Sequence, residues 1–548
     1  MGDIFGASTM SCYLGIDVGT GSARAGIFDA QGTLLGYGSQ TLRINRPQID
    51  FVEQSSQQIW TAVCDAVRIA IETANIAGST ISGIGFDATC SLVISDASGD
   101  PVSVSPSEED DWNVMVWMDH RAVDEADAIN ATQHEILART GGRISPEMQL
   151  PKLLWIKKHL GGSWSAARHF HDLPDWLVHK ATATEARSMC SLVCKWTYLG
   201  EKGQAGEGWD RSFFRLIGLG DLVDEGFNRI GTEVLEAGSS AGSLSEQAAK
   251  ELGLTPGIAV AAAAIDAYAG ALGTLGIGAA NLEAMTSRMA LVGGTSTCHL
   301  TVGEKPRFVS GIWGPYHGAL LPGYWANEGG QSVSGALIDH VLASHAAFTN
   351  LNAEAEKMGK NLHDVLADRL REMAGDAPLE ELTSDLQVVP DFHGNRSPLA
   401  DPLRKGVVAG LSMEQGPEAL ARLYLATIQA LAYGTRHILD AFAEQGASFD
   451  TIVMSGGLAR NTLYRQAHAD VCDCQVVSTE HSEAVLLGAA MLGAVASEAF
   501  ANLPSAMLRM SGQQVVTQPS GGTAHEKKYR VFRRMQDDFD AWRKIIEG

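Results

Sequence analysis

No Cys-x-x-Cys pair occurs among the eight cysteines of this chain, Cys12, Cys64, Cys90, Cys190, Cys194, Cys298, Cys472 and Cys474. Zinc-finger and redox frameworks need such pairs, and 548 residues is far beyond the size at which disulfide staples are required. The cysteines are therefore expected to be reduced, in a cytoplasmic protein. Metal binding through Cys190/Cys194 or Cys472/Cys474 is disfavoured, because neither couple has a second pair at zinc spacing. Proline is scarce, at 17 residues against 59 glycines, which fits tight turns between regular elements and excludes a proline-rich disordered chain. Long apolar runs are missing too. The longest apolar region, 258–280, is Gly/Ala-rich and carries Asp266, which argues against a bilayer span. Met1 to Met10 lacks a basic region and an apolar core, so neither a signal peptide nor a membrane partner is expected.

Positive charge is in deficit, with a formal net charge of −23, and this speaks against a nucleic-acid partner. A phosphate would have to sit in a local pocket of backbone N–H groups. Two phosphoryl-transfer motifs are also absent: the Walker-A pattern, and the protein-kinase catalytic loop with its downstream D-F-G.

What is present is enough apolar sequence, 45%, for two lobes with full cores. Alternation predicts a meander: strand 13–16, a turn, strand 23–28, a turn at Ala30-Gln31-Gly32, then strand 33–37. Spacing of four among Ile59, Val63, Val67 and Ile71 predicts a helix over 55–74, followed by strand 81–86. A second meander of the same style opens at Met289 around the turn Gly293-Gly294-Thr295-Ser296-Thr297, which suggests an internal duplication. Further on, helices are expected over 417–442, 461–470, 484–496 and 526–546, with strands at 451–454 and 475–478. The turn Thr255-Pro256-Gly257 puts the expected lobe boundary after residue 256, giving lobes 11–256 and 257–548.

The stretch Leu14 to Asp29 holds Asp17 at a strand end, then Gly19-Thr20-Gly21-Ser22. Such a turn exposes N–H groups and hydroxyls that suit phosphate oxygens. Asp17 would repel a phosphate unless a divalent cation lay between them; the alternative is a polar hairpin rim. Gly293–Thr297 offers the same donors from the other half, or is an ordinary strand-end turn. Asp266 begins a Gly/Ala-rich helix, where it is either an N-cap or a general base for an attacking alcohol, two compatible roles. Gly238-Ser239-Ser240-Ala241-Gly242 matches a hydrolase nucleophile elbow, but the next helix signal starts only at Ser243-Leu244-Ser245-Glu246, too late for one.

Ordered blocks along residues 13–496 resemble the FGGY family of carbohydrate kinases. They are G-I-D-V-G-T-G-S from Gly15, V-W-M-D-H-R from Val116, P-K-L-L-W-I-K-K from Pro151, D-L-P-D-W-L from Asp172, A-I-D-A-Y-A-G from Ala264, G-G-T-S from Gly293, F-H-G-N-R-S-P-L-A-D-P-L-R-K-G from Phe392, S-G-G-L-A-R-N from Ser455 and E-A-V-L-L-G-A-A from Glu483. The resemblance implies an α/β protein of two ribonuclease-H-like lobes, the actin/hexokinase/sugar-kinase fold, with a deep interlobe cleft. It implies ATP and Mg²⁺, with Asp17 and Asp266 at the metal and Asp266 as catalytic base. Gly19, Thr20, Gly21, Ser22, Gly294, Thr295, Ser296, Gly330, Gly456, Gly457 and Asn461 would bind the nucleotide. Asp87, Thr89, Cys90, Trp117, Asp119, Lys195, Asp266 and Glu328 would line the sugar.

Asp87–Ser91, Lys195 and Glu328 look like the ribulokinase branch, whereas Trp117-Met118-Asp119 keeps the form of other pentulose and polyol kinases. The whole looks closest to the D-ribulokinase/ribitol-kinase group. The implied activity is phosphorylation of a pentulose, D-ribulose first, with ribitol, L-ribulose or xylulose as alternatives. Lys195 as a surface lysine and Cys90 as a core residue stay open. So does an alternative of another class, a sugar-independent nucleotide-driven switch on the same fold. Sugar and ATP are the expected partners, and the oligomeric state, a homodimer included, is left open.

Overall fold

The computed structural model describes residues 11–479 and 483–547. The expectation about a leader in Met1 to Met10 lies outside the described residues. Two seven-stranded sheets organise the chain. In the first, β1 (Cys12–Val18), β2 (Ser22–Phe28) and β3 (Leu34–Thr41) form the expected antiparallel meander. Ile81–Ala88 joins β1 in parallel, and Ala259–Ala261 joins that strand in parallel in turn. The second sheet repeats this arrangement. Arg288–Gly293, Thr297–Gly303 and Trp325–Gln331 form its meander, and Thr451–Ser455 and Gln475–Thr479 add in parallel. The duplication suggested by the two Gly/Thr/Ser turns is thus a repeat of topology.

The expected lobe boundary after residue 256 is too early. Ala259–Ala261 and Ala264–Ile265 both pair with Ile81–Ala88 and complete the first sheet. The Thr-Pro-Gly turn breaks the pattern only to start the next strand.

Two helices cross between the sheets. The helix Asp266–Leu275 leaves the first sheet and packs on the second, where Thr274 Oγ1 donates to Ser455 Oγ at 2.8 Å. The helix Ala484–Ala496 follows a strand of the second sheet but lies on the first. A Cβ at Gly15, Gly83 or Gly85 would run into its backbone at Leu486, Gly493 or Ala489. The two helices also meet each other through Gly273 and Gly488. Helix α1 (Ser56–Ala74), capped by the Ser55 side chain, covers the opposite face of the meander, where Gly36 and Gly38 admit the backbone of Ala70 and Ala66.

Ser240–Ser243 is an edge strand paired antiparallel to Ala259–Ala261, so the Gly-x-Ser-x-Gly match is no strand-to-helix elbow. None of the eight cysteines, all of them among the described residues, is in a disulfide. No helix among the described residues is long and apolar enough to cross a membrane.

Candidate active site

Adjacent strand ends bring three carboxylates together. Asp17 and Asp87 are register partners on parallel strands, both essentially without exposed surface. Ala264 pairs with Asp87, and Ile265 leads at once into Asp266, the first residue of its helix. The capping position is Ile265, without a side-chain cap, and Asp266 Oδ1 accepts the Ala267 N–H at 2.7 Å. The ordinary N-cap role is therefore not the one Asp266 fills.

Burial, and then the Asp17 charge beside it, pushes Asp87 well above the usual carboxylate range. Asp17 is also raised by burial, against the pull of Arg24. Arg24 is its register partner on β2 and forms an ion pair with it. Asp266 is pushed up to about 7, by burial first and by Asp17 second, with Glu328 adding to the rise and Lys195 opposing it. One electrostatic neighbourhood thus contains Asp17, Asp266, Glu328 and Lys195.

Among the described residues, Asp17 and Asp87 have only each other and the Arg24 ion pair as side-chain partners. Two buried carboxylates served by one guanidinium are costly unless a cation or further donors reach them. The oxygen set fits Mg²⁺, with Asp87 joining the expected Asp17 and Asp266 as an available donor.

Lys195 ends the helix Met189–Lys195, which starts from the Ser188 cap, and its ammonium lies 4.4 Å from the Trp313 ring centre. Burial opposes its charge, yet Cys90 and then Glu328 hold it well above the ordinary lysine range. Cys90 is itself pushed up to about 12 by burial and is a neutral thiol at pH 7, so Glu328 is the anion that counts. Lys195 is buried and is no surface lysine, and Glu328, from Trp325–Gln331 of the second sheet, acts on it electrostatically from the other lobe.

A second electrostatic relation between the lobes was not singled out from the sequence. Glu147, from the first lobe, is drawn down to about 2: burial would raise it, but His120, Arg396 and Lys195 overcome that. His120 Nε2 lies 3.6 Å from Glu147, and Arg396 sits inside the F-H-G-N-R block. A carboxylate flanked by Pro146 and Met148, with no paired charge nearby in sequence, gives no local signal. Arg24 was missed for another reason, since period-two alternation alone puts it opposite Asp17.

Trp117 joins the two halves of the site, with Nε1 donating to Thr20 Oγ1 at 2.8 Å. Asp119, expected at the sugar, has both oxygens engaged inside the protein. Its oxygens are taken by Arg121, at 2.6 to 3.1 Å, and by the Val52 N–H at 2.6 Å, in a fully buried group with Glu53. Thr89 is buried and shares a 3.0 Å hydrogen bond with Ser91.

On the phosphate side, Gly19 N–H donates to the Ser22 carbonyl at 3.0 Å, and Gly21 faces open space. Gly294 and Thr295 are exposed, and the turn through Ser296 docks on the start of Gly335–Ala343, Ser334 N–H reaching the Thr295 carbonyl at 2.8 Å. Gly456, at φ 84°, touches Gly293, so a Cβ there would collide, and Gly457 is open. Gly330 stands behind the Arg396 side chain. Asn461 is largely engaged in the fold: Oδ1 caps the helix Thr462–Cys472 and one Nδ2 hydrogen goes to Tyr424 Oη at 2.7 Å, which leaves one N–H of the amide for a nucleotide. A concavity of 610 Å³ lined by Asp127, His134 and Arg143 contains none of these residues.

Residues 12–273 match the N-terminal domain, and 289–497 the C-terminal domain, of the FGGY family of carbohydrate kinases. An FGGY carbohydrate kinase domain-containing protein of Homo sapiens is 46% identical over 533 residues, 95% of this chain and 96% of that one. A D-ribulokinase of Saccharomyces cerevisiae is 38% identical over 515 residues, 89% of this chain and 72% of that one. The crystal structure of a xylulose kinase from Rhodospirillum rubrum superposes with a TM-score of 0.77 at 18% identity, covering 97% of this chain and 99% of that one.

Proposed function

The chain belongs to the FGGY family of carbohydrate kinases, and we propose that the sugar it phosphorylates from ATP is a pentulose, D-ribulose first, giving D-ribulose 5-phosphate. The observation that carries this reading is the enclosure of Asp266 beside Lys195 and Glu328, a base next to a cation–anion pair suited to a polyhydroxy ketone. The 38% identity to a D-ribulokinase over most of the chain supports the choice of sugar.

In this reading the sugar lies among Asp87, Cys90, Trp117, Lys195 and Glu328, with Glu147 and Arg396 at its rim. Asp266 accepts the proton of the terminal hydroxyl as that oxygen attacks the γ-phosphorus of ATP in line. Bound through Asp17, Asp87 and Asp266, Mg²⁺ would supply positive charge to the phosphate oxygens. Gly19–Ser22 and Gly294–Ser296 present N–H and hydroxyl donors to the phosphates, and Gly456 and Gly457 leave backbone open to the rest of the nucleotide. Closure of the lobes over the sugar, with Lys195 and Glu328 on opposite sides of it, would keep water from competing for the phosphoryl group.

The test is an ADP-release panel of D-ribulose, L-ribulose, ribitol and xylulose. D-ribulose should exceed each alternative in kcat/KM by at least about 10-fold. Preference for another member overturns the choice of sugar, and ADP release independent of any sugar would favour the nucleotide-driven switch.

A further inference from the structure

Away from this site, three histidines and a glutamate converge at the outer end of the strand His169–Asp172. His169 and His171 are two apart on the strand, hence on one face, and their rings stack with centres 5.7 Å apart. The next helix, Leu173–Thr182, brings the His179 ring to 5.1 Å from His171 and 5.9 Å from His169. The chain then turns at Ala183 and presents Glu185, whose oxygens lie 3.2 Å from His169 Nδ1 and 3.5 Å from His179 Nδ1. Ligand-capable atoms of His171, His179 and Glu185 all fall within 4.8 Å of one another.

Two details separate this cluster from a chance grouping. His171 has no exposed surface, and neither of its ring nitrogens has a hydrogen-bond partner. Every imidazole carries a donor or a lone pair at each nitrogen, so leaving both unsatisfied in the interior is costly. In addition, His179 Nδ1 lies 2.7 Å from the Thr184 carbonyl. Donation to that carbonyl fixes the tautomer with a lone pair on Nε2, the way metal-ligating histidines are oriented. The guanidinium of Arg187 is the charge that opposes a cation here. It is offset by Asp175 and Glu185, and it donates to the Glu185 carbonyl at 2.5 Å.

We propose that His171, His179 and Glu185, with His169 as fourth donor, bind one zinc-class divalent ion. Imidazole nitrogens with a single carboxylate select Zn²⁺, Co²⁺ or Ni²⁺ over the oxygen-preferring Mg²⁺ and Ca²⁺. Zinc bonds near 2.0–2.1 Å place ligand atoms about 3.3 Å apart, so the set tightens on binding, which the half-exposed Glu185 side chain permits. The ion would staple the segment 183–186 to the strand. That segment runs directly into Arg187–Ser188 and the Ser188 cap of the Lys195 helix, so this site would hold in place the element that carries Lys195.

The experiment uses the full chain stripped of metal, titrated with Zn²⁺ against a competing chelator and, separately, with Co²⁺ followed by visible absorption. The expected result is about one ion per chain, a four-coordinate cobalt band without thiolate charge transfer, and a thermal midpoint raised by Zn²⁺. His179→Gln and Glu185→Gln lie at the surface side and should fold, yet each should weaken Zn²⁺ at least about 10-fold and abolish the thermal shift. The proposal is overturned by no stoichiometric binding, by affinity unchanged in both variants, or by a thiolate band that puts the metal on cysteine.

Discussion

A carboxylate that takes a proton from an alcohol must be ionised and yet basic, and Asp266, pushed up to about 7 by burial and by Asp17, is placed for that. Turnover should rise with pH as the carboxyl loses its proton, along an acidic limb that lies below about 7 when Mg²⁺ shares this carboxylate and moves down as Mg²⁺ is raised. Asp266→Asn should lower kcat by about 10²–10⁴-fold and leave ADP binding intact. Near-normal turnover in the variant removes Asp266 from the role of base. Asp87 is raised well above its unfolded value, so its burial costs nothing at low pH and stability is lost as pH climbs through the folded value. In a chelator, Asp87→Asn should therefore melt higher than the parent at pH 8, with the gap closing toward pH 4, by calorimetry. Asp119 points the other way. Asp119→Ala leaves Arg121 with Glu53 as its remaining buried anion and takes the acceptor from the Val52 N–H, so it should cost about 1–3 kcal/mol in urea unfolding, while the sugar KM of the folded fraction stays unchanged.

Among elements, the glycines divide into two kinds. Gly85 lies where the strand Ile81–Ala88 meets the helix Ala484–Ala496, and a Cβ there would run into the Ala489 carbonyl. Gly85→Ala should part the two and destabilise the protein by about 1–3 kcal/mol or more. A Cβ at Gly457 meets nothing within 4 Å, so Gly457→Ala should leave the unfolding midpoint near that of the parent and act, if at all, on the ATP KM. Equal destabilisation by both substitutions would contradict this division. The Gly/Ala content of Asp266–Leu275 and Ala484–Ala496 has the same cause, since each helix packs its backbone closely against the other and against a sheet.

At the scale of the whole molecule, the lobes meet through charge as well as through these helices. Lys195 of the first lobe faces Glu328 of the second, and Glu147 faces Arg396. In the proposed reading the sugar lies between these charges, so closure and sugar affinity belong together. Lys195→Met should raise the sugar KM by about 30-fold or more and abolish sugar-dependent protection from limited proteolysis, while protection by ADP persists. Protection by sugar that survives the substitution would separate Lys195 from closure.

By itself, the sequence determined the two meanders, the long helices, the Gly/Thr/Ser turns and the aspartates at strand ends. Each of these is set by periodicity or turn chemistry within a few neighbouring residues, and α1 and Ala484–Ala496 fall where that chemistry puts them. The register pairing of Asp17 with Asp87, the pull of Arg396 on Glu147 and the passage of Ala484–Ala496 onto the first sheet depend on groups tens to hundreds of residues apart. Residue type alone misled at one place for the same reason: Asp119 looks like a ligand in a motif, yet its hydrogen bonds are taken by Arg121 and the Val52 N–H. A side chain's type fixes which bonds it can make, but only the folded chain decides whether those bonds are already made inside the protein or left for a substrate.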